Sequence, residues 1–141
     1  MIGIVIAGHG QLASELIATA ELIVGPLPAV LSCNISPSLS PRELEEELKR
    51  AIHEVDQGQG VLVLADLIGG TPCTKSMALC RKAHLEVVTG VNLPMVLKAH
   101  SLRTSRPLRE LAGALVESVR SSVRWVTESV PVTPEPENVS G

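Results

Sequence analysis

Tyrosine and phenylalanine are absent from this 141-residue chain, and Trp125 is its one large aromatic. Proteins that hold single-stranded nucleic acid stack bases on aromatic platforms, and those that grip duplexes need a basic surface. With 12 Lys+Arg against 15 Asp+Glu, a formal net charge of −3 and a pI near 5.8, the chain offers neither, and no nucleic-acid partner is expected. Cysteine is scarce. Cys33, Cys73 and Cys80 are odd in number and lack C-x-x-C spacing, the usage of reduced cytosolic thiols rather than of a disulfide framework. Each reads better as a small core-filling residue than as a nucleophile. Long apolar runs are missing too: 45% of residues are hydrophobic, in segments too short to cross a bilayer. No basic stretch followed by an apolar run and a cleavage site opens the chain, so a cytoplasmic rather than a secreted protein is expected. The length suits one domain with a proper core.

What is present is organised around residues 1–10. Ile2, Ile4, Val5 and Ile6 form a β-branched run that stops abruptly at Gly8-His9-Gly10. Such a run predicts a strand buried on both faces in the middle of a parallel sheet. Two glycines permit a sharp turn and keep side chains away from the imidazole. Leu12, Leu16, Ile17, Ala20, Ile23 and Val24 then follow helical spacing, and Gly25-Pro26 ends that helix. A second strand is expected within 28–35. Ser40-Pro41-Arg42-Glu43 opens the next helix with a capping box and proline at its first position. There Leu44, Leu48, Ala51, Ile52 and Val55 form an apolar stripe, and the run of Glu45, Glu46, Glu47, Lys49 and Arg50 is a solvated face.

After a turn at 57–60, Val61-Leu62-Val63-Leu64-Ala65 repeats the pattern of the first strand and stops at Asp66. Gly69-Gly70-Thr71-Pro72 begins another helix, with Thr71 as its N-cap. A fourth strand is expected at 85–88, a helix from about Gly90-Val91-Asn92-Leu93-Pro94 to Leu102, and a last long helix from near Pro107. Strand alternating with helix four times predicts an α/β fold: a doubly wound, mostly parallel four-stranded sheet flanked by helices. Residues 123–126 fit either a helix extension or a short strand. The prolines at 131, 134 and 136 mark 127–141 as a disordered tail behind a domain at 1–126.

In such sheets the ligand crevice lies beyond the carboxyl ends of the strands. His9 from the first strand and Asp66 from the third arrive at that edge together. A carboxylate that accepts the Nδ1 hydrogen fixes the tautomer whose Nε2 is a free nucleophile. The pair suits hydrolysis, metal binding or phosphoryl acceptance, and a histidine at such a turn can also simply cap or pack. The backbone N–H groups of Gly69, Gly70 and Thr71, at a positive helix end, form a ready phosphate site, and the helix after Gly10 adds a second. No nucleophile elbow, Walker lysine or nucleotide fingerprint is present. A metal site would need more ligands than His53, His84 and His100, which lie in unrelated segments and read as solvated. No metal or other cofactor is expected.

Gly8-His9-Gly10, Asp66-Leu67-Ile68-Gly69-Gly70-Thr71-Pro72 and Gly90-Val91-Asn92-Leu93-Pro94-Met95, in that order, resemble enzyme IIA of the bacterial sugar phosphotransferase system (PTS), mannose/fructose/sorbose type. The resemblance runs from Met1 to about Val126. It implies a cytoplasmic phosphotransferase, a phosphohistidine carrier in carbohydrate uptake. Such a carrier accepts a phosphoryl group from the histidine phosphocarrier protein HPr and passes it to a IIB partner, touching membrane IIC/IID subunits only indirectly. Carried over by position, His9 is the phosphorylated residue and Asp66 its partner, with Gly10, Gly69, Gly70 and Thr71 cradling the phosphoryl group. It also implies a homodimer that exchanges a short C-terminal antiparallel strand, which favours a strand at 123–126. The family often has Ser-Pro-Phe-Asn where Thr71-Pro72-Cys73-Thr74 stands here; threonine keeps the hydroxyl and the cap, while Cys73 alters the rim. The phosphocarrier subunit of dihydroxyacetone kinase fits less well. A regulatory protein signalling through the same histidine is the alternative function, and a hydrolase using His9 and Asp66 is a third reading.

Overall fold

A computed structural model describes residues 1–67, 74–75 and 84–135 of the chain. Strands β1 (Gly3–His9), β2 (Val30–Ile35), β3 (Val61–Ala65) and β4 (Leu85–Thr89) form one parallel sheet in the order β2-β1-β3-β4. Helices α1 (Leu12–Val24), α2 (Pro41–Val55), α3 (Leu93–Leu102) and α4 (Leu108–Arg120) flank it. The expected doubly wound α/β architecture is therefore present. The helix expected after Thr71 falls largely outside the described residues; Thr74 and Lys75 are helical.

The two central strands explain their own composition. Ile2, Ile4 and Ile6, with Leu62 and Leu64, point into a core completed by Ala13 and Ala20 of α1, Met95 and Val96 of α3, and Leu111 and Leu115 of α4. Val5, Ala7, Val61 and Val63 point the other way, onto Leu44, Leu48 and Val55 of α2. Successive residues of a strand face opposite sides, so only a continuous apolar run satisfies a strand covered by helices on both. Ser40 caps α2 as expected, its Oγ accepting from Glu43 N–H at 3.1 Å. Asn92 caps α3, accepting from Met95 N–H at 2.9 Å.

Two expectations are corrected. Helix α1 faces the sheet through Ala13 and Ala20, with Leu16 and Ile17 partly buried, whereas Leu12, Ile23 and Val24 are exposed. Small residues at the contact let α1 lie close to the strands, which rotates the larger apolar positions outward. Gly8 lies within β1 and is not left-handed; only Gly10 of the pair has positive φ, +61°. The segment 123–126, expected as a strand exchanged between subunits, forms no strand within the single chain: beyond Arg120 the described residues hold no helix or strand, and Val123, Trp125 and Val126 are exposed. A strand needs a neighbour for its backbone, and the turn at Ser121-Ser122 lays this segment against none.

Arg103, just past α3, is 1% exposed and the one buried charged residue among those described. Its guanidinium donates to the carbonyls of Pro28 (2.6 Å), Ala29 (3.4 Å) and Ile2 (3.5 Å), tying the starts of β1 and β2 to α3. A planar fork of donors holds several carbonyls at once in fixed directions. We expect Arg103→Ala to cost about 2–4 kcal/mol, because it strands buried carbonyls and opens a cavity. Arg103→Lys should recover only part of that in urea unfolding.

Candidate functional site

The sheet order places the site. From β1 the chain crosses to β2 on one side, and β3 and β4 build out on the other. The order reverses between β1 and β3, and at such a reversal the strand-end loops part to leave a crevice. His9 is the last residue of β1 and Asp66 the first after β3, with Ala7 and Ala65 in register just before them. Asp66 N–H donates to the Ala7 carbonyl at 3.1 Å, so the ladder itself delivers the carboxylate to the histidine.

One carboxylate oxygen takes two bonds from the same residue. Asp66 Oδ2 lies 2.8 Å from His9 Nδ1 and accepts the His9 main-chain N–H at 2.9 Å. Oδ1 accepts Leu67 N–H at 2.9 Å. Burial pushes the Asp66 carboxyl up, but the bonds from His9 and Leu67 outweigh it and hold its pKa below the ordinary value. An ionised carboxylate has no proton to give, so the hydrogen of the 2.8 Å contact sits on Nδ1. The Nε2 of that tautomer carries a lone pair and has no partner among the described residues. The His9 side chain is 54% exposed and that of Asp66 9%, so the ring presents Nε2 outward from a shielded carboxylate.

The turn that carries the ring depends on Gly10. Its N–H donates to the Ile35 carbonyl of β2 at 2.9 Å, and its positive φ favours glycine. A Cβ at Gly10 would meet nothing within 4 Å, so any cost is conformational. A Cβ at Gly8 would make ordinary contact with Asp66, 3.5 Å from Oδ2. We expect Gly10→Ala to lower stability by about 1–2 kcal/mol and Gly8→Ala by about 0.5 kcal/mol or less, as urea unfolding would measure.

The structure thus brings His9, Gly10 and Asp66 together. Gly69, Gly70 and Thr71 lie outside the described residues. Among the described residues no cluster of His, Cys, Asp and Glu has the makings of a metal site. His53 and His84 are exposed. His100 is half-buried rather than solvated, 3.4 Å from Arg103, and burial together with that guanidinium lowers its pKa. Cys33 is buried; burial and the neighbouring Glu47 push its thiol up to about 11, an inert environment for a nucleophile.

A polar group beside the turn escaped sequence reasoning. Asn34 of β2 bonds Ser14 and Gln11 at the start of α1. A signal was present: Gln11 is a poor N-cap residue, so the first turn of α1 needed a cap from elsewhere.

Similarity to known proteins bears on the same residues. The family described as PTS system fructose IIA component matches residues 3–119. The mannose-specific EIIAB component of Escherichia coli strain K12 is 34% identical over 125 residues, covering 87% of this chain and 39% of that protein. The chain therefore spans about two fifths of that relative's length. The fructose-specific EIIA component of Bacillus subtilis is 26% identical over 129 residues, covering 91% and 88%. Among solved structures, EIIA from Streptococcus agalactiae superposes with a TM-score of 0.83 at 28% identity, covering 90% of this chain and 98% of that one. No described helix is long and apolar enough to cross a membrane. With a matching family model over most of its length and a matching fold, the chain belongs to the fructose/mannose family of PTS IIA components, proteins of sugar phosphotransfer.

Proposed function

We propose that this protein is a cytoplasmic phosphohistidine carrier that receives a phosphoryl group on His9 from HPr and passes it to a IIB partner in sugar uptake. The observation that carries this reading is the 2.8 Å contact between His9 Nδ1 and Asp66 Oδ2 at the strand-end crevice, with Nε2 turned outward. In the acceptance step the Nε2 lone pair attacks the phosphorus of a donor phosphohistidine. The donor's P–N bond breaks, and its electron pair stays on the donor imidazole. Nδ1 keeps its hydrogen, so the His9 ring gains positive charge that the Asp66 carboxylate balances. Transfer to IIB reverses the geometry with His9 as the leaving group. Gly10 shapes the turn, and Gly69, Gly70 and Thr71 are assigned to hold the phosphoryl oxygens through their N–H groups. Membrane IIC/IID subunits are reached only through IIB.

The test is incubation with enzyme I, HPr and phosphoenolpyruvate, followed by phosphorus NMR and acid treatment. One equivalent of acid-labile, base-stable phosphate per chain is expected. No phosphate uptake, or acid-stable phosphate, would refute the carrier reading.

A homodimer built by strand exchange belongs to the same reading. It is supported by β4, an edge strand of the described sheet, beside a cleft lined by Val87, Met95, Val116, Val119 and Val123. Val123, Trp125 and Val126 stand 79%, 72% and 79% exposed, apolar surface that a second copy's β4 would cover. Removing residues from 123 onward should convert a dimer to a monomer or an aggregate, as sedimentation would show. An unchanged, well-behaved dimer would refute the exchange.

A further inference from the structure

We propose that Asn34 is a positioning residue for the phosphoryl acceptor: it caps α1 from the neighbouring strand and so fixes the turn that holds His9 against Asp66. The role in transfer rests on the reading of His9 as the acceptor; the role in geometry does not.

Gln11 occupies the N-cap of α1 with φ −97° and ψ 5°, and its side chain makes no cap hydrogen bond. The third amide of that helix, Ser14 N–H, would ordinarily be satisfied by the cap residue. Here it donates to Asn34 Oδ1 at 3.2 Å. Because an amide N–H can only donate, the atom facing it is the carbonyl oxygen of Asn34, which turns Nδ2 toward the other two acceptors. Nδ2 donates to Ser14 Oγ at 2.8 Å and to Gln11 Oε1 at 3.3 Å. Ser14 Oγ donates in turn to the Gln11 carbonyl at 3.1 Å. A single side chain therefore joins three groups of the first turn of α1.

The register gives this clamp its consequence. Asn34 pairs with Gly8 and Ile35 with His9, while Gly10 N–H binds the Ile35 carbonyl. Two consecutive residues of β2 thus pin the backbone of the turn, Ile35 at Gly10 and Asn34 just beyond it. The first of these points is a left-handed glycine, the position with the most conformational freedom to lose on ordering. Both bonds to Asp66 Oδ2 start from His9, one from its ring and one from its main chain, so both depend on where that backbone sits. Without Asn34 the turn into α1 keeps the Gly10 bond to β2 but loses its side-chain tie to that strand, and the imidazole is oriented less often toward its carboxylate.

Wild type, Asn34→Ala and a control, Ser40→Ala, separate positioning from plain stability. Ser40→Ala removes a cap of the same kind from α2. Asn34→Ala should accept phosphate from phospho-HPr about tenfold more slowly at saturating donor, about 1.4 kcal/mol of barrier, with little change in KM. Proton NMR should show the His9 Nδ1–H, protected from exchange by Asp66 in wild type, exchanging faster in Asn34→Ala and unchanged in Ser40→Ala. Asn34→Asp, which still accepts from Ser14 N–H, should regain the slowly exchanging signal. Equal transfer rates and equal Nδ1–H exchange in Asn34→Ala and Ser40→Ala would overturn the proposal. If Asn34→Ala does not fold, Ser14→Ala, which removes the 2.8 Å bond and leaves the main-chain cap, should still speed Nδ1–H exchange; no change there would equally overturn it. Wild type that takes up no phosphate would refute the carrier reading, and Nδ1–H exchange would then decide the clamp alone.

Discussion

His9→Ala should take up no acid-labile phosphate while keeping its fold and nearly all its stability. The two halves of this expectation have separate causes. Loss of uptake follows because the other three histidines cannot substitute. His84 precedes β4 and His100 packs against Arg103, which binds the carbonyls before β1 and β2; both belong to the amino-terminal edge of the sheet. A five-residue parallel strand such as β3 separates the two edges by roughly 16 Å, too far for a donor docked at His9. His53 is exposed on α2 without a carboxylate partner among the described residues. Preservation of the fold follows because the His9 side chain is 54% exposed and its one side-chain hydrogen bond among the described residues is to Asp66. The alanine variant keeps the main-chain bond to Asp66 Oδ2, so Asp66 is not stranded. The expected cost is about 1 kcal/mol. Phosphate retained in this variant, or lost only when His53, His84 or His100 is replaced, would sink the assignment of His9.

The parts of the fold that were legible in the sequence are those set by local pattern. Ile2, Ile4, Val5 and Ile6, and then Val61 to Ala65, had to be doubly covered strands, since no alternation of polar residues relieves either. The abrupt stops at Gly8 and Asp66 placed His9 and Asp66 at one edge, and parallel pairing in register brought them into contact. Where a position depends on a distant partner, pattern failed. The apolar spacing of α1 named Leu12, Ile23 and Val24, but the close approach of Ala13 and Ala20 to the sheet leaves those three exposed. Arg103 reads as a surface charge at the end of a helix; only the closeness of the carbonyls of Ile2, Pro28 and Ala29 makes it a buried clamp. Asn34 lies within β2 and gives no local hint that Ser14, 20 positions earlier, lacks a cap. The segment 123–126 has strand-forming residues, but a strand is defined by its neighbour, and within one chain none is supplied.

Asp66→Asn should slow phosphoryl transfer by about ten- to a hundredfold, the second largest effect expected. Asparagine matches the shape of aspartate and can still accept through one oxygen, so it separates charge from orientation. The carboxylate offers its Oδ2 to both the ring and the main chain of His9. A hydrogen bond to a charged group contributes about 1.5–3 kcal/mol, which converts to that range of rates if all of it acts in the transition state. It should act there, because attack by Nε2 raises the positive charge on the ring at the moment Nδ1–H faces the acceptor. The same carboxylate makes stability pH-dependent, and the sign is fixed by its direction of shift. Its folded pKa lies below the ordinary carboxylate value, so its contribution is complete above the unfolded pKa of about 3.9 and is lost as pH falls through the lower folded value. Asp66→Asn has no such group. The stability gap between the two proteins, read from urea unfolding, should therefore be widest near neutral pH and close in acid. Equal transfer rates, together with a gap that does not change with pH, would mean that the carboxylate does not act on His9, and the carrier mechanism would fail with it.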